Sequence, residues 1–450
     1  MCGLGYFAAG AEFTLLGLVG EEMRMEFSFS LNSWAGVASV TNGVAFFSGL
    51  AFGRFADKFG RKPAFILSQA LVAVGGLGGA FASSWWEVIV WRCVTGVGLG
   101  GLQVVDFVFL SEMLPPSKKA AQGQLVFLYG CLGFVYLAVM DLLLRKLTGT
   151  SIAPIFLGLS RWRLVALIAV LPIIPALIVR LCFVLESPRF LISQRKWIQA
   201  RNVLIDIQGV SSREKVPQTV EKVIPEDLEL YCESKQNEPC NEKNVSLLSV
   251  ITKPPFPLLS ILWLIQGTVY SGAFIFYRPF LSQAGVSPDL IFPIMAICEI
   301  PGVLLAGWLS RERGRIRALV IFFFLATVSA FICWIGVISE FGFLVISGVC
   351  GLFTFHIPIW GLLFVLTPEL YPAEIRASAM GLYALCKNAP SVASPFLGAA
   401  LVGLGRPGIF IGSWLALLSV GAAQTFIARG DGFCKLFSWG LLKDQKKTWV

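Results

Sequence analysis

Apolar residues fill this chain in long blocks separated by short polar stretches. Twelve blocks can be counted, at about 3–19, 33–53, 63–83, 88–110, 121–144, 162–185, 256–277, 286–309, 318–338, 341–366, 378–404 and 408–428. Most are roughly 18–24 residues long, enough for a helix to cross a hydrocarbon core of about 30 Å. The pattern predicts an all-α membrane protein with twelve transmembrane helices. A polar stretch separates the first six blocks from the last six. The expected units are therefore two six-helix bundles, 1–185 and 256–428, a linker, 186–255, and a tail, 429–450.

Composition agrees, with 56% hydrophobic and 14% charged residues, a balance that no soluble domain of this length needs. Glycine recurs inside the blocks, as in Gly75-Gly76-Leu77-Gly78-Gly79 and Gly96-Val97-Gly98-Leu99-Gly100-Gly101. Small residues let membrane helices approach closely, because lipid gives no hydrophobic push between them. The net charge of +9 would suit nucleic acid, but its placement excludes that partner. Arg54, Lys58, Arg61 and Lys62 follow helix 2. Lys118 and Lys119 follow helix 4, and Arg189, Arg195, Lys196 and Arg201 follow helix 6. Arg311, Arg313, Arg315 and Arg317 follow helix 8, and Lys443, Lys446 and Lys447 lie in the tail. The loops after helices 3 and 9 carry no Lys or Arg. This positive-inside pattern puts both termini in the cytoplasm. Arg145, Lys146, Arg161 and Arg163, after helix 5, depart from it; the last two can anchor the start of helix 6.

The eleven cysteines are scattered singly, so neither a zinc site nor a disulfide scaffold is expected. Cys232 and Cys240 share the linker, on the reducing side. The linker turns acidic past an amphipathic helix expected near 195–208. It reads as a solvated segment, where the sequon Asn244-Val245-Ser246 stays unused. Pro172, Pro175, Pro301, Pro358, Pro390 and Pro395 fall inside blocks, where they shape packing or kinks. The first block lacks a polar lead, the pattern of a truncated or alternatively started sequence.

One spaced motif occurs twice. Gly53 is followed at seven and eight positions by Gly60-Arg61, and Gly307 in the same way by Gly314-Arg315. A second pair follows: Glu112-x-x-Pro115-x-x-x-Lys119 and Glu369-x-x-Pro372-x-x-x-Arg376. Nearly equal offsets between the halves mark an internally duplicated membrane protein, and such proteins are most often transporters.

At these residues the chain resembles the major facilitator superfamily. Gly53 to Lys62, with Asp57 inside it, is similar to the superfamily's signature loop between helices 2 and 3. Arg92-x-x-x-Gly96-x-Gly98-x-Gly100-Gly101 resembles its helix 4 motif. Glu186-Ser187-Pro188-Arg189 resembles the element after helix 6 of sugar-porter-like members. Asp106 with Glu112-Met113-Leu114-Pro115, and Glu299-Ile300-Pro301-Gly302, resemble helices 4 and 8 of synaptic-vesicle-protein-related transporters. Pro368 to Arg376 is similar to theirs and to organic cation and anion transporters. Three departures stand out. Arg311 occupies the place of Asp57 in the second signature loop, Lys119 replaces the usual arginine, and no Pro-Glu-Thr element follows helix 12.

The resemblance implies two pseudo-symmetric bundles that alternate access to a cavity lined by helices 1, 4, 7 and 10. It also implies a latch around Gly53, Asp57, Gly60 and Arg61 that favours the outward-facing state. Physically, Asp57 can meet the positive end of an adjacent helix while Arg61 pairs with a carboxylate; the alternative is a topological anchor for helices 2 and 3. Glu112, Glu186, Arg189, Glu369 and Arg376 complete the motif set.

Acidic residues inside spans are costly and so informative. Glu12 and Asp106, on helices 1 and 4, can carry a coupling proton, meet a cationic substrate, or serve as structural hydrogen-bond partners. Glu299 lies in mid helix 8, and Asp141 reads as interfacial. Arg92 reads as structural; at 1.5 Å per residue it lies about 21 Å from Asp106 and cannot pair with it. Lys387 suits an anionic group, or pairs with Glu299 or another internal acid. His356, the only histidine, is either a proton relay or a packing residue. Tyr6, Tyr270, Tyr277 and Trp360 can line a cavity.

The expectation is a secondary carrier for a small organic anion or cation, proton-coupled, monomeric, without cofactor or metal, in the plasma membrane by preference. A non-transporting receptor on the same fold, or a truncated product, stays open, and sugar is the third substrate. A membrane enzyme finds no nucleophile–base spacing or metal cluster.

Overall fold

The computed structural model describes residues 1–28, 31–114, 116–148, 159–208, 251, 255–283, 288–371, 375–403 and 407–427. The acidic linker with its sequon, Cys232 and Cys240, the tail, Pro115 and Pro372 lie outside them, as does the side chain of Tyr277.

Among the described residues the chain is helical. Its first half holds α1 (Cys2–Glu26), α2 (Leu31–Phe59), α3 (Arg61–Ala80), α4 (Trp85–Met113), α5 (Pro116–Thr148), α6 (Arg161–Val170) and α7 (Ile173–Phe183). Two short helices follow, α8 (Pro188–Ser193) and α9 (Trp197–Gln208). The second half holds α10 (Pro255–Gln283), α11 (Pro288–Glu312), α12 (Arg315–Ile338), α13 (Gly342–Glu369), α14 (Arg376–Gly403) and α15 (Pro407–Ile427).

The sixth apolar block forms α6 and α7 rather than one helix. Pro172 and Pro175 remove backbone donors, and the helix breaks just before Ile173. The amphipathic helix expected near 195–208 is α9. The short α8 was not expected: Pro188 opens it and Ser187 caps it by accepting from the Phe190 N–H.

Among the described residues, eight helical stretches are long and apolar enough to cross a membrane, with shorter apolar stretches in α10 and α15. The remaining long helices, α2 and α14, pack extensively on each other. Their polar residues need not face lipid: Asn42 of α2 donates to the Ser391 carbonyl of α14.

Within the first half α4 packs on α2 and α3, and α1 on α5; within the second, α12 packs on α13 and α15, and α10 on α14. The halves meet along two seams, α2 against α14 and α5 against α11. The repeated motif glycines explain the turns. Gly60, between α2 and α3, has φ +111°, and Gly314, between α11 and α12, has φ +88°. Both lie in the region that side chains disfavour, so each duplicated loop needs glycine there.

Candidate functional site

The first seam closes at the motif loops. The Asp57 carboxylate accepts hydrogen bonds from the backbone N–H of Ser378 at 2.7 Å and of Ala377 at 3.3 Å, and from the Ser378 hydroxyl at 2.6 Å. These N–H groups belong to the first turn of α14, where no intrahelical acceptor exists and the helix dipole favours an anion. Gly53 allows the approach, since a Cβ there would strike the Ala377 carbonyl.

Behind Asp57, Arg61 makes an ion pair with it at 3.1 Å and holds Glu112 through two bonds, at 3.0 and 3.1 Å. Glu112 also receives Arg376 at 3.1 Å, so one carboxylate joins the two halves. Glu186 caps α3 by accepting from the Arg61 and Lys62 N–H groups. Glu369 pairs with Arg315.

Two more cations crowd this corner. Burial, and then Arg376, lower the basicity of Arg189. Lys119 lies two residues before the apolar stretch Ala121–Leu147. Burial, and then Arg189, Arg376 and Arg315, push its amine down to about 7, against a smaller opposing pull from Glu112.

Mid-membrane acids of the first half have cationic partners. Glu12 accepts from Arg92 at 3.2 Å, and its other oxygen has no hydrogen-bond partner. Asp106 accepts from Arg180 at 2.6 Å. Arg180 also donates to the Phe65 carbonyl and lies 3.6 Å from the Phe65 ring centroid. Asp106 of α4 thus pairs with Arg180 of α7 rather than joining the Glu112 network. Asp141, expected at the interface, is buried near the end of α5 and paired with Arg161 and Arg145. Arg161 also meets Glu22, and Arg163 meets Glu26. Arg145, Arg161 and Arg163, three of the four cations that break the positive-inside pattern, are therefore neutralised locally.

A cavity opens between the halves. Tyr6, Gly10 and Phe13 of α1, Gln103 of α4, and Phe127, Gly130, Cys131 and Phe134 of α5 form one wall; Tyr270, Ile357, Trp360, Phe364 and Lys387 form the other. The expected aromatic residues Tyr6, Tyr270 and Trp360 all line it, with α5 and α14 added to the expected helices. Lys387 donates to the Gln103 Oε1 at 2.5 Å, and its Nζ lies 5.3 Å from the Trp360 ring centroid. The alternative pairing of Lys387 with Glu299 is not formed. The Trp360 indole N–H is buried without a hydrogen-bond partner. Gly267 of α10 touches the Lys387 backbone so closely that a Cβ there would strike the Lys387 carbonyl. Glu299 and His356 are buried outside the lining, and neither Glu299 oxygen nor the His356 Nε2 has a hydrogen-bond partner.

Gln103 was missed by sequence reasoning. It lies between the helix 4 glycine motif and Asp106, and only the fold brings it under Lys387.

Comparisons with known proteins agree with this architecture. The family model described as "Sugar (and other) transporter" matches residues 11–427. The putative niacin/nicotinamide transporter NiaP of Bacillus subtilis is 24% identical over 402 residues, covering 88% of this chain and 86% of that one. Organic cation/carnitine transporter 4 of Arabidopsis thaliana is 25% identical over 354 residues, covering 77% of this chain and 62% of that one. The proton:xylose symporter XylE of E. coli, solved with 6-bromo-6-deoxy-D-glucose, superposes with a TM-score of 0.78 at 16% identity, covering 94% of each chain.

Proposed function

As the chain belongs to the sugar (and other) transporter family of the major facilitator superfamily, we propose that it is a proton-coupled carrier for a small aromatic carboxylate. The observation that carries this reading is Lys387, a cation in an aromatic cavity whose only hydrogen-bond partner among the described residues is the neutral Gln103. A carboxylate entering the cavity supplies the missing negative charge, and the free Trp360 N–H offers it a second donor. Phe127, Phe134 and Phe364 suit a planar ring. A nicotinate-like acid fits, in keeping with a relative named as a niacin/nicotinamide transporter.

A sugar is the second reading, favoured by the family and by the likeness to XylE. The cavity offers few polar groups for many hydroxyls, and burying hydroxyls without partners costs affinity. An organic cation would meet repulsion from Lys387.

Transport follows from the two halves, 1–185 and 256–428, rocking about the cavity. The Asp57–Ser378 and Glu112–Arg376 contacts hold the motif end closed and break when that end opens. Glu12, flanked on α1 by the cavity residues Gly10 and Phe13, binds the coupling proton. Protonation removes its attraction for Arg92 and loosens α1 from α4. The positive-inside pattern supports a cytoplasmic motif end and cytoplasmic termini, and we read the carrier as a monomer in the plasma membrane.

The test is uptake into proteoliposomes from a panel of nicotinate, other organic acids, organic cations and sugars, with and without a proton gradient. Gradient-driven accumulation of nicotinate or a related acid is expected. Glu12→Gln should sharply reduce accumulation and keep exchange across a membrane without a gradient. Uptake of sugars alone, or undiminished accumulation by Glu12→Gln, would sink the reading.

A further inference from the structure

Glu299 sits near the middle of α11 and is fully buried. Neither carboxyl oxygen meets a conventional hydrogen bond, and no described Lys or Arg pairs with it. The group that faces it is the Cys131 thiol of α5, whose other side lines the cavity. The remaining titratable groups nearby are Cys298 on its own helix and Tyr270 on α10. The helices packed on α11 further contribute Cys350 and His356 from α13 and Cys333 from α12. None of these is a permanent cation.

A carboxylate buried without a counter-charge, with only a weak thiol donor beside it, is not sustained in a low-dielectric interior; the group is stable there as the neutral acid. Its position matters as much as its isolation. Cys131 belongs to the first half and Glu299 to the second, so the pair straddles the α5–α11 seam. Rocking of the halves exchanges neighbours along that seam and gives the carboxyl access to water on alternate sides.

We propose that Glu299 is a second proton-binding site, so that each cycle carries two protons with one substrate anion and moves one net positive charge inward. The proposal rests on the carboxylate reading and on Glu12 as the first site. One proton passes from outside water to a Glu299 oxygen as the seam closes. The same O–H bond breaks when the seam opens inward, and the proton leaves to cytoplasmic water.

The experiment uses the full chain in proteoliposomes with labelled nicotinate, a fixed inward proton gradient, and a potassium diffusion potential set by valinomycin. Wild-type accumulation should rise about tenfold when 60 mV, negative inside, is added, as one net charge requires. Glu299→Gln should still accumulate nicotinate on the proton gradient but ignore the potential, and Glu299→Asp should restore the response. A wild type indifferent to potential, or a Glu299→Gln variant that keeps the full response, overturns the proposal and leaves the carboxylate reading standing. No gradient-driven nicotinate uptake in the wild type overturns both. The wild-type reversal potential gives the same proton count without any variant, so poor folding of Glu299→Gln cannot hide the answer: a ratio of one proton overturns the second site.

Discussion

In the first half, Glu12 meets Arg92, Asp106 meets Arg180, and Asp141 meets Arg161. In the second half, Glu299, His356 and Lys387 are equally buried, and none makes an ion pair among the described residues. The difference separates two uses of buried polarity. A paired charge holds helices together, and removing one partner leaves the other stranded. An unpaired ionisable group inside a membrane protein brings no such return, and by default it marks a functional site.

The largest expected effect tests the paired half. Arg180→Ala strands Asp106 and should cost about 3–5 kcal/mol of stability. It would be read as a sharp fall in melting temperature in detergent, partly recovered when Asp106→Asn is added. An unchanged melting temperature would mean that the pair holds nothing.

Next comes the unpaired half. Lys387→Ala should weaken binding of a small aromatic carboxylate by about 2 kcal/mol, roughly thirty-fold in Kd, with no loss of melting temperature. A destabilised variant with normal affinity would place Lys387 among the structural charges.

The smallest effect sharpens the exception in the first half. Lys119 is buried among cations, and its amine lies at about 7 in the folded protein. An unfolded lysine keeps its proton up to about 10.4. Below about 7 both states are protonated, and the buried charge weakens the fold in full. Between the two values the unfolded state binds more protons, so stability rises with pH. Melting temperature should therefore rise modestly from pH 6 to pH 8.5, and Lys119→Met should flatten that rise by lifting the pH 6 value. Equal slopes in both proteins would refute this.

The spans were legible because each apolar block carries its own signal. Gly60 and Gly314 were legible as a pair because a duplicated turn repeats its backbone requirement. Asp57 could be matched to a helix end in kind, though not to Ala377 and Ser378 in particular. Partnerships across the bundle were hidden. Asp106 and Arg180 are 74 positions apart, and their meeting depends on how α4 and α7 are rotated, which no local pattern encodes. The proline break between α6 and α7 was foreseeable from Pro172, but an unbroken apolar run outweighed it.

Gly267 shows how a variant of this protein could mislead. Read from sequence, Gly267→Ala is a mild change in mid-helix, even a gain of about 1 kcal/mol in helix propensity. In the folded chain the added methyl would press on the Lys387 carbonyl and shift α14. Ligand preference would then change by inheritance at a position absent from the cavity wall. A catalogue of variants ranked by distance to substrate would overlook it.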